Sequence, residues 1–316
     1  MRKIRLVEVK SELAAGTRGA SLGIDAMKVA SLGKKSNFFT RFEPVRVKTE
    51  NSLLFEDPQY NFAKYGEGVY TVLGRVSDHI AELRSEELFP IVLAGDHSTA
   101  AGTICGIKKA HPNKRLGVVW IDAHADFHSP YTTPSGNMHG MPLAMVTGID
   151  NEECEVNDVE EETEALWERI KEIGGNGAKI NPSDVVFIGV RDTEKAEDHI
   201  MEKHGIRNFK TEEVHKKGVK AIAAEVLEVL KDCDQIYISF DVDSLDTSVS
   251  VGTGTPVPNG LFKDQAAELN IELIKDTRVC CWELVEVNPT LDAGNKMAEN
   301  AFDILEATTE SLIDNF

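Results

Sequence analysis

The sequence predicts an α/β fold with a mainly parallel central sheet. Short β-type apolar runs alternate along the chain with stretches of helical periodicity, which is typical of strands joined by crossover helices. Most of these runs are continuously apolar, as expected for strands covered on both faces of a parallel sheet. The predicted strands are residues 4–9, 90–93, 116–121, 185–190, 236–240 and 279–285.

The segments between the strands carry apolar residues at helical spacing. The predicted helices are residues 62–83, 164–173, 219–230, 265–274 and 297–312. The chain shows no internal repeat, low-complexity segment or Pro/Gly-rich linker, so we expect a single domain over residues 1–316. The polar stretch 151–162 is interpreted as an excursion from that domain.

Composition and charge exclude several classes of protein. Hydrophobic residues make up 41% and charged residues 28% of the 316 residues, which is ordinary for a globular protein. The net charge of −19 argues against a nucleic-acid partner and suits a cationic substrate, although solvation of the surface is the simpler explanation of the charge. No apolar run approaches the roughly 18 residues of a membrane span, and residues 1–9 lack a signal-peptide core. We expect a soluble, cytoplasmic protein without a membrane partner.

The five cysteines suggest neither a disulfide framework nor a thiolate zinc site. Their number is odd and no C-x-x-C motif occurs. Cys280 and Cys281 are adjacent in a predicted strand. We therefore expect them to point to opposite faces of the sheet as core thiols.

Four predicted strands run directly into acidic or histidine-bearing segments. The side chains that follow them are Asp96 and His97 after 90–93, Asp122, His124 and Asp126 after 116–121, Asp241 and Asp243 after 236–240, and Glu286 after 279–285. In an open α/β sheet the functional site forms outside the carboxyl ends of the strands. These groups are therefore expected to converge on one crevice.

So many carboxylates at one place would repel one another unless cations lay among them. Carboxylate oxygens with a few imidazoles suit Mn²⁺, Mg²⁺ or Fe²⁺. The spacing of Asp122, His124 and Asp126 would put three side chains on one face of an extended strand end. Asp241 and Asp243 have the same two-residue spacing. A single Asp-x-Asp is ordinarily a turn or a solvated strand end. The joint occurrence of two such clusters favours two metal ions.

These segments resemble the ureohydrolases, the binuclear-manganese family that includes arginases and agmatinases. The matching motifs are GDHS at 95–98, DAHAD at 122–126, SFDVDSLD at 239–246, GTGTPV at 252–257 and EVNP at 286–289. The resemblance covers nearly the whole chain. It implies a three-layer α/β/α sandwich, a homo-oligomer (trimer or hexamer), two Mn²⁺ per chain and hydrolysis of a guanidinium by a metal-bridging hydroxide.

The resemblance also implies roles for individual residues. It gives the ligands of one manganese as His97, Asp122, Asp126 and Asp241. It gives the ligands of the other as Asp122, His124, Asp241 and Asp243. Asp126 would also accept a hydrogen bond from the hydroxide. His139 would be the proton shuttle, and Glu286 would pair with the substrate guanidinium near Thr255.

Within the family, the segment TTPSGNMHGMP at 132–142 resembles that of arginases. It implies that Ser135 and Asn137 bind an α-carboxylate, and that Glu194 and Glu197 receive an α-amino group. The implied reaction converts L-arginine to urea and L-ornithine. The alternatives are a sibling enzyme acting on agmatine, a guanidino acid or another guanidine, an inactive metal-binding scaffold, and a mononuclear zinc deacetylase.

The sequence departs from the arginase pattern at two of the substrate-contacting positions. His128 stands where arginases carry an Asn that contacts the carboxylate, and Glu194 stands where a shorter Asp is usual. A histidine can still donate a hydrogen bond to a carboxylate. His128 is therefore kept among the predicted substrate-binding residues.

Overall fold

The computed structural model describes residues 3–315, and a single parallel sheet organises them. Its strand order is β2-β1-β3-β8-β7-β4-β5-β6, and every neighbouring pair is parallel. The strands are β1 (Ile4–Val9), β2 (Pro44–Arg46), β3 (Phe89–Ala94), β4 (Leu116–Ile121), β5 (Val185–Ile188), β6 (Arg207–Phe209), β7 (Gln235–Asp241) and β8 (Val279–Val285). The predicted parallel α/β fold is confirmed.

Helices cover both faces of the sheet. They are α1 (Gly23–Gly33), α2 (Phe38–Arg41), α3 (Gly66–Ser85), α4 (Thr99–Ala110), α5 (Pro142–Thr147), α6 (Glu161–Lys171), α7 (Lys195–His204), α8 (Thr211–Lys217), α9 (Val219–Val229), α10 (Lys263–Ile274) and α11 (Lys296–Asp314). Helices α3 to α6 pack in one hydrophobic cluster, and α1 and α8 to α11 pack in the other. The molecule is therefore a three-layer α/β/α sandwich. Among residues 3–315, no helix has the length and apolarity required to cross a bilayer.

The continuous apolar character of the strands follows from this double coverage. In β4, Val118 and Trp120 belong to one cluster, and Val119 and Ile121 to the other. Successive side chains of a strand point to opposite faces, so a strand between two helical layers must be apolar at every position. This is the signal that made the strands predictable.

The predicted strands match the observed ones closely. Strands β1, β4 and β8 have the predicted bounds, whereas β3 and β7 extend one residue further at each end. Strand β5 stops at Ile188, two residues early, because Gly189 takes a positive φ of 92° that a strand cannot contain. The edge strands β2 and β6 have three residues each and were too short to be predicted.

The five predicted helices correspond to α3, α6, α9, α10 and α11. Helix α4 was not predicted, and its burial explains why. Every residue from Thr99 to Ile107 is buried, so the helix has no polar face and shows no amphipathic period.

The prediction for the adjacent cysteines was wrong in one respect. Both thiols are buried, but both pack in the same hydrophobic cluster. Ile236 pairs with Val279 whereas Tyr237 pairs with Cys281, so the register of β7 against β8 skips Cys280. Such a bulge places two consecutive side chains on one face of the sheet.

Truncation of a core side chain tests this packing. Leu273 of α10 is fully buried (0% exposed), and we expect Leu273→Ala to lower the free energy of unfolding by about 2–5 kcal/mol. Leu32 of α1 is 74% exposed, so the matched control Leu32→Ala should change it by less than about 0.5 kcal/mol. The measurement is urea denaturation followed by circular dichroism. Equal losses in the two variants would contradict the placement of α10 against the sheet.

Candidate active site

The candidate site lies at the carboxyl ends of four adjacent central strands, β3, β8, β7 and β4. A cavity of about 130 Å³ opens there. Its lining includes these predicted site residues: His97, His124, Asp126, His128, Ser135, Asn137, His139, Glu194, Glu197, Asp241, Asp243, Thr255 and Glu286. The remaining predicted residue, Asp122, is fully buried and contacts His97 and His124 beside the cavity. The structure therefore brings the whole predicted set together.

Tight turns after the strands aim these side chains. Asp126 has a φ of 49° and Glu286 a φ of 67°, both in the left-handed region that residues other than glycine rarely adopt. Such conformations are concentrated at functional sites. The sequence argument placed residues 122–126 on an extended strand end. That explanation was wrong, because β4 ends at Ile121 and the chain turns through a left-handed residue at Asp126.

Backbone amides hold one oxygen of each of three aspartates. Asp122 Oδ1 accepts a hydrogen bond from the His124 N–H at 2.7 Å, and Asp241 Oδ1 accepts one from the Asp243 N–H at 2.7 Å. Asp243 Oδ1 accepts one from the Ala123 N–H at 3.1 Å. The amides fix the carboxylate planes and leave the Oδ2 atoms to face the histidines.

The first cluster is centred on His97. Its Nδ1 lies 3.0 Å from Asp122 Oδ2, 3.0 Å from Asp126 Oδ2 and 3.2 Å from Asp241 Oδ2. Its Nε2 lies 2.7 Å from Ser239 Oγ, and the ring stacks on Trp120 with centroids 4.1 Å apart. The contact with Ser239 and the stacking on Trp120 thus hold the imidazole, so that its Nδ1 faces three carboxylates.

The second cluster is centred on His124. Its Nδ1 lies 3.0 Å from Asp243 Oδ2 and 3.5 Å from Asp122 Oδ1. Asp122 therefore belongs to both clusters. Thr255 Oγ1 donates a hydrogen bond to Asp243 Oδ2 at 3.1 Å, which places this hydroxyl beside the second cluster.

The electrostatics of both clusters favour bound cations. Burial alone would lower the pKa of His97, but the surrounding carboxylates raise it well above its ordinary value. Burial and the charges of neighbouring aspartates raise the pKa of Asp241, and they raise that of Asp243 to about 6. Buried His97 Nδ1 and Asp122 Oδ2 lie 3.0 Å apart, but among the described residues neither has a partner with the geometry of a hydrogen bond. Unpartnered nitrogen and oxygen donors in an oxygen-rich site fit divalent cations.

A third histidine faces a carboxylate that is not in either cluster. His139 Nδ1 donates a hydrogen bond to Glu286 Oε1 at 3.2 Å, and the same oxygen accepts a hydrogen bond from the backbone N–H of His97 at 3.0 Å. Burial alone would lower the pKa of His139, but Glu286 outweighs it and raises the pKa to about 9. This imidazole is therefore protonated at neutral pH and can donate a proton.

The loop 132–137 forms one wall of the cavity. Thr133 Oγ1 accepts a hydrogen bond from the Gly136 N–H at 3.0 Å, and Ser135 Oγ accepts one from the Asn137 N–H at 3.2 Å. Gly136 has a φ of 75°, and a Cβ there would lie 1.9 Å from the Asn61 carbonyl oxygen. Only glycine fits this turn, which holds Ser135 and Asn137 at the cavity.

Opposite this loop lies the N-terminus of α7. Glu197 Oε2 accepts the Glu194 N–H at 3.1 Å and Glu197 Oε1 accepts the Phe127 N–H at 3.1 Å, so Glu197 caps the helix and ties it to the metal-cluster loop. The His128 imidazole lies 3.0 Å from Glu194 Oε2 and lowers the pKa of Glu194. Burial raises the pKa of Glu197.

Sequence reasoning missed Arg191, which holds the loops around the second cluster. Its guanidinium donates to the backbone carbonyls of Gly189, Asp243, Leu245, Val257 and Pro258 at 2.7–3.4 Å. Its own N–H donates to the Ala123 carbonyl at 2.8 Å. A lone arginine directly after a buried strand, in an otherwise acidic site, was the available signal.

Sequence reasoning also missed Ser239, which orients His97. Its hydroxyl lies in the middle of β7, where the flanking residues are apolar. A polar residue inside a continuously apolar strand was the signal that could have revealed it.

Histidine and carboxylate clusters at the carboxyl ends of a parallel α/β sheet fit a metal-dependent enzyme. Comparison with known proteins makes the assignment specific. Residues 2–309 match the model of the arginase family. The chain is 36% identical to an arginase of Bacillus subtilis over 74% of this chain and 73% of that protein, and 31% identical to an arginase of Brevibacillus brevis over 97% of each.

A solved structure gives the same result. The arginase of Entamoeba histolytica, solved in complex with L-ornithine, superposes with a TM-score of 0.82 at 27% identity, over 99% of each chain. The chain belongs to the arginase family.

Metal binding tests the two clusters. We expect Mn²⁺ to raise the melting temperature of the protein, because a ligand present at about 100 times its Kd stabilises the folded state by about 2.7 kcal/mol. Asp122→Asn should reduce both this rise and the bound manganese measured by mass spectrometry, since Asp122 belongs to both clusters. The control is Asp78→Asn on the exposed surface of α3. An unchanged manganese content in Asp122→Asn would contradict the shared position of Asp122.

Proposed function

We propose that the protein is a binuclear manganese amidinohydrolase that converts L-arginine and water to urea and L-ornithine. The observation that carries the proposal is the pair of histidine–carboxylate clusters joined through Asp122. His97, Asp122, Asp126 and Asp241 would hold one Mn²⁺. Asp122, His124, Asp241 and Asp243 would hold the other. Asp241 would be shared in the same way as Asp122.

The two cations, when bound, lower the pKa of a water molecule so that a nucleophile is available near neutral pH. Asp126 would accept a hydrogen bond from that water and so orient a lone pair of the water oxygen toward the substrate carbon. Its left-handed backbone conformation turns its carboxylate into the cavity beside His97. Strained backbone conformations of this kind persist at functional sites because the surrounding structure holds them in place.

Glu286 would bind the substrate guanidinium. Its carboxylate is fixed by the backbone N–H of His97 and by His139, and it lines the cavity. A guanidinium stays protonated and presents several N–H donors in one plane, so a fixed carboxylate both attracts and orients it. Thr255, which donates to Asp243, would lie beside the same group.

His139 would supply the proton that the leaving group needs. The water oxygen forms a bond to the guanidinium carbon and becomes the urea oxygen. The bond from that carbon to the side-chain nitrogen then breaks, and this nitrogen leaves as the amine of ornithine after it takes a proton from His139. Of the two protons that the water loses, one returns to His139 and the other completes the ammonium group of the released ornithine. The contact with Glu286 keeps His139 protonated until that step.

The far end of the cavity would recognise the amino acid part of the substrate. Ser135 and Asn137 would bind the α-carboxylate, and Glu194 with Glu197 would attract the α-amino group. His128 Nε2 lies 3.0 Å from Glu194 and 3.6 Å from Glu197. The complex of the Entamoeba histolytica relative with L-ornithine supports an amino acid ligand for this pocket. We also expect a cytoplasmic homo-oligomer, a trimer or hexamer, as the family resemblance implies; sedimentation analysis tests the assembly.

A panel of guanidines tests the substrate. With Mn²⁺ added, we expect urea release to be fastest from L-arginine and slower from agmatine and 4-guanidinobutyrate, because only L-arginine offers both α-substituents to the pocket. Urea formation is measured at several substrate concentrations to give kcat/KM. Turnover of agmatine or 4-guanidinobutyrate without turnover of L-arginine would show that the protein is a sibling ureohydrolase.

Replacement of His139 tests the proton donor. We expect His139→Ala to lower kcat by about 10²–10⁴-fold, the usual contribution of a general acid. In the unmodified protein, kcat should fall as the pH rises through the pKa of His139, which the contact with Glu286 holds above its ordinary value, since His139 then loses its proton. The variant should lack this alkaline fall. His79→Ala on α3, away from the cavity lining, is the control. An unchanged alkaline limb in His139→Ala would assign the proton transfer to another group.

A further inference from the structure

The two departures from the arginase pattern are in direct contact. His128 Nε2 lies 3.0 Å from Glu194 Oε2. Because an ionised carboxylate only accepts hydrogen bonds, the imidazole donates from Nε2 to Glu194. The residue with the unusual ring and the residue with the longer acidic side chain thus form one hydrogen-bonded pair at the end of the cavity.

The other ring nitrogen is also engaged. His128 Nδ1 lies 3.1 Å from Thr132 Oγ1, and that hydroxyl accepts the Ser129 N–H at 3.1 Å. Both His128 and Thr132 are buried. The backbone therefore holds Thr132, Thr132 holds the ring, and the ring holds Glu194.

This arrangement changes what His128 can do for a substrate. With one nitrogen on Glu194 and the other on Thr132, the ring has no free nitrogen to donate to an α-carboxylate. Carboxylate binding is then left to the loop that carries Ser135 and Asn137. The Ser135 oxygen accepts the Asn137 N–H, so its hydroxyl hydrogen remains available to donate.

The hydrogen bond from His128 also restricts the conformation of the Glu194 side chain. Its side chain is partly exposed, and a free glutamate there would sample many rotamers. Glu197 is already engaged by the two backbone amides that it caps. Glu194 is therefore the carboxylate with the most capacity left for an ammonium group, and His128 fixes its position.

We propose that His128 is a positioning residue that locks Glu194 onto the amino group of the substrate, so that the amino group contributes more to specificity than the carboxylate. This inference rests on the proposed function, because it assigns the outer half of the same pocket. It identifies the preferred ligand class as guanidines with a primary amine four methylene or methine carbons away from the guanidine nitrogen.

Three guanidines separate the two contacts. L-Arginine has both the amine and the carboxylate, agmatine has only the amine, and 5-guanidinopentanoate has only the carboxylate. In the unmodified protein we expect loss of the amine to lower kcat/KM roughly ten-fold more than loss of the carboxylate, the range expected for a hydrogen bond to a charged group. An equal or larger loss for agmatine would overturn the proposal.

The variants are His128→Asn, Glu194→Asp and the double substitution. We expect His128→Asn to raise KM roughly ten-fold for L-arginine and agmatine, with a much smaller change for 5-guanidinopentanoate and little change in kcat. Glu194→Asp should have a similar effect, because the shortened side chain no longer reaches the ring. The double variant should lose less than the product of the two single losses, since the residues act through one contact.

Each alternative gives a different pattern. If His128 binds the substrate carboxylate directly, His128→Asn raises the KM for L-arginine and 5-guanidinopentanoate but not the KM for agmatine. If the variant merely disturbs the fold, all three substrates and the manganese content fall together. Either pattern, or strictly additive losses, overturns the proposal. His199→Asn is the matched control, because His199 contacts Glu153 at 3.1 Å on the surface in a similar pair.

The outcome separates this inference from the proposed function. Turnover of L-arginine with additive variant effects would overturn the positioning role alone. Absence of turnover of all three guanidines by the manganese-loaded protein would overturn the proposed function, and the inference with it.

Discussion

The structure depends on holding several aspartates close together in a buried space. Asp122, Asp241 and Asp243 are almost fully buried. Burial and the neighbouring carboxylates raise the pKa of Asp241 and Asp243, whereas contacts with His124 and His97 lower that of Asp122. Backbone amides satisfy one oxygen of each, which fixes the carboxylates but does not neutralise them. Two imidazoles held in place by their own neighbours complete the donor set. Divalent cations would stabilise such a site, and the same charges that repel one another without cations would create the affinity for them.

The order of the strands explains how one small region collects these groups. The four strands that deliver them, β3, β8, β7 and β4, are neighbours in the centre of the sheet, although they come from distant parts of the sequence. Parallel strands at the centre are covered on both faces, so their ends are the first places where polar side chains can reach a cavity. Arg191, beyond the end of β5, then ties the turns after β4 and β7 together through backbone carbonyls.

Burial on both faces also decided what could be predicted from the sequence. It made the central strands apolar at every position, and their ends could be located to within a residue or two. The same uniform burial hid α4, which has no polar face, and the bulge at Cys280, which leaves no mark in an apolar run. The metal-cluster residues were predictable because each follows such a strand. The left-handed turn at Asp126 and the contact of His128 with Glu194 were not, because they depend on loop conformations that pattern does not specify.

The two ends of the cavity are therefore built in different ways. The inner end is fixed by strands and backbone amides, where a change of one residue would leave buried charges without partners. The outer end is held by side chains on loops and on the first turn of α7, where His128, Thr132 and Glu194 support one another. His128 and Glu194 contact each other at the outer end, so paired substitutions there can compensate without disturbing the inner end. The chemistry of the site is thus constrained by the sheet, whereas the selectivity that we propose among guanidines would depend on contacts between side chains.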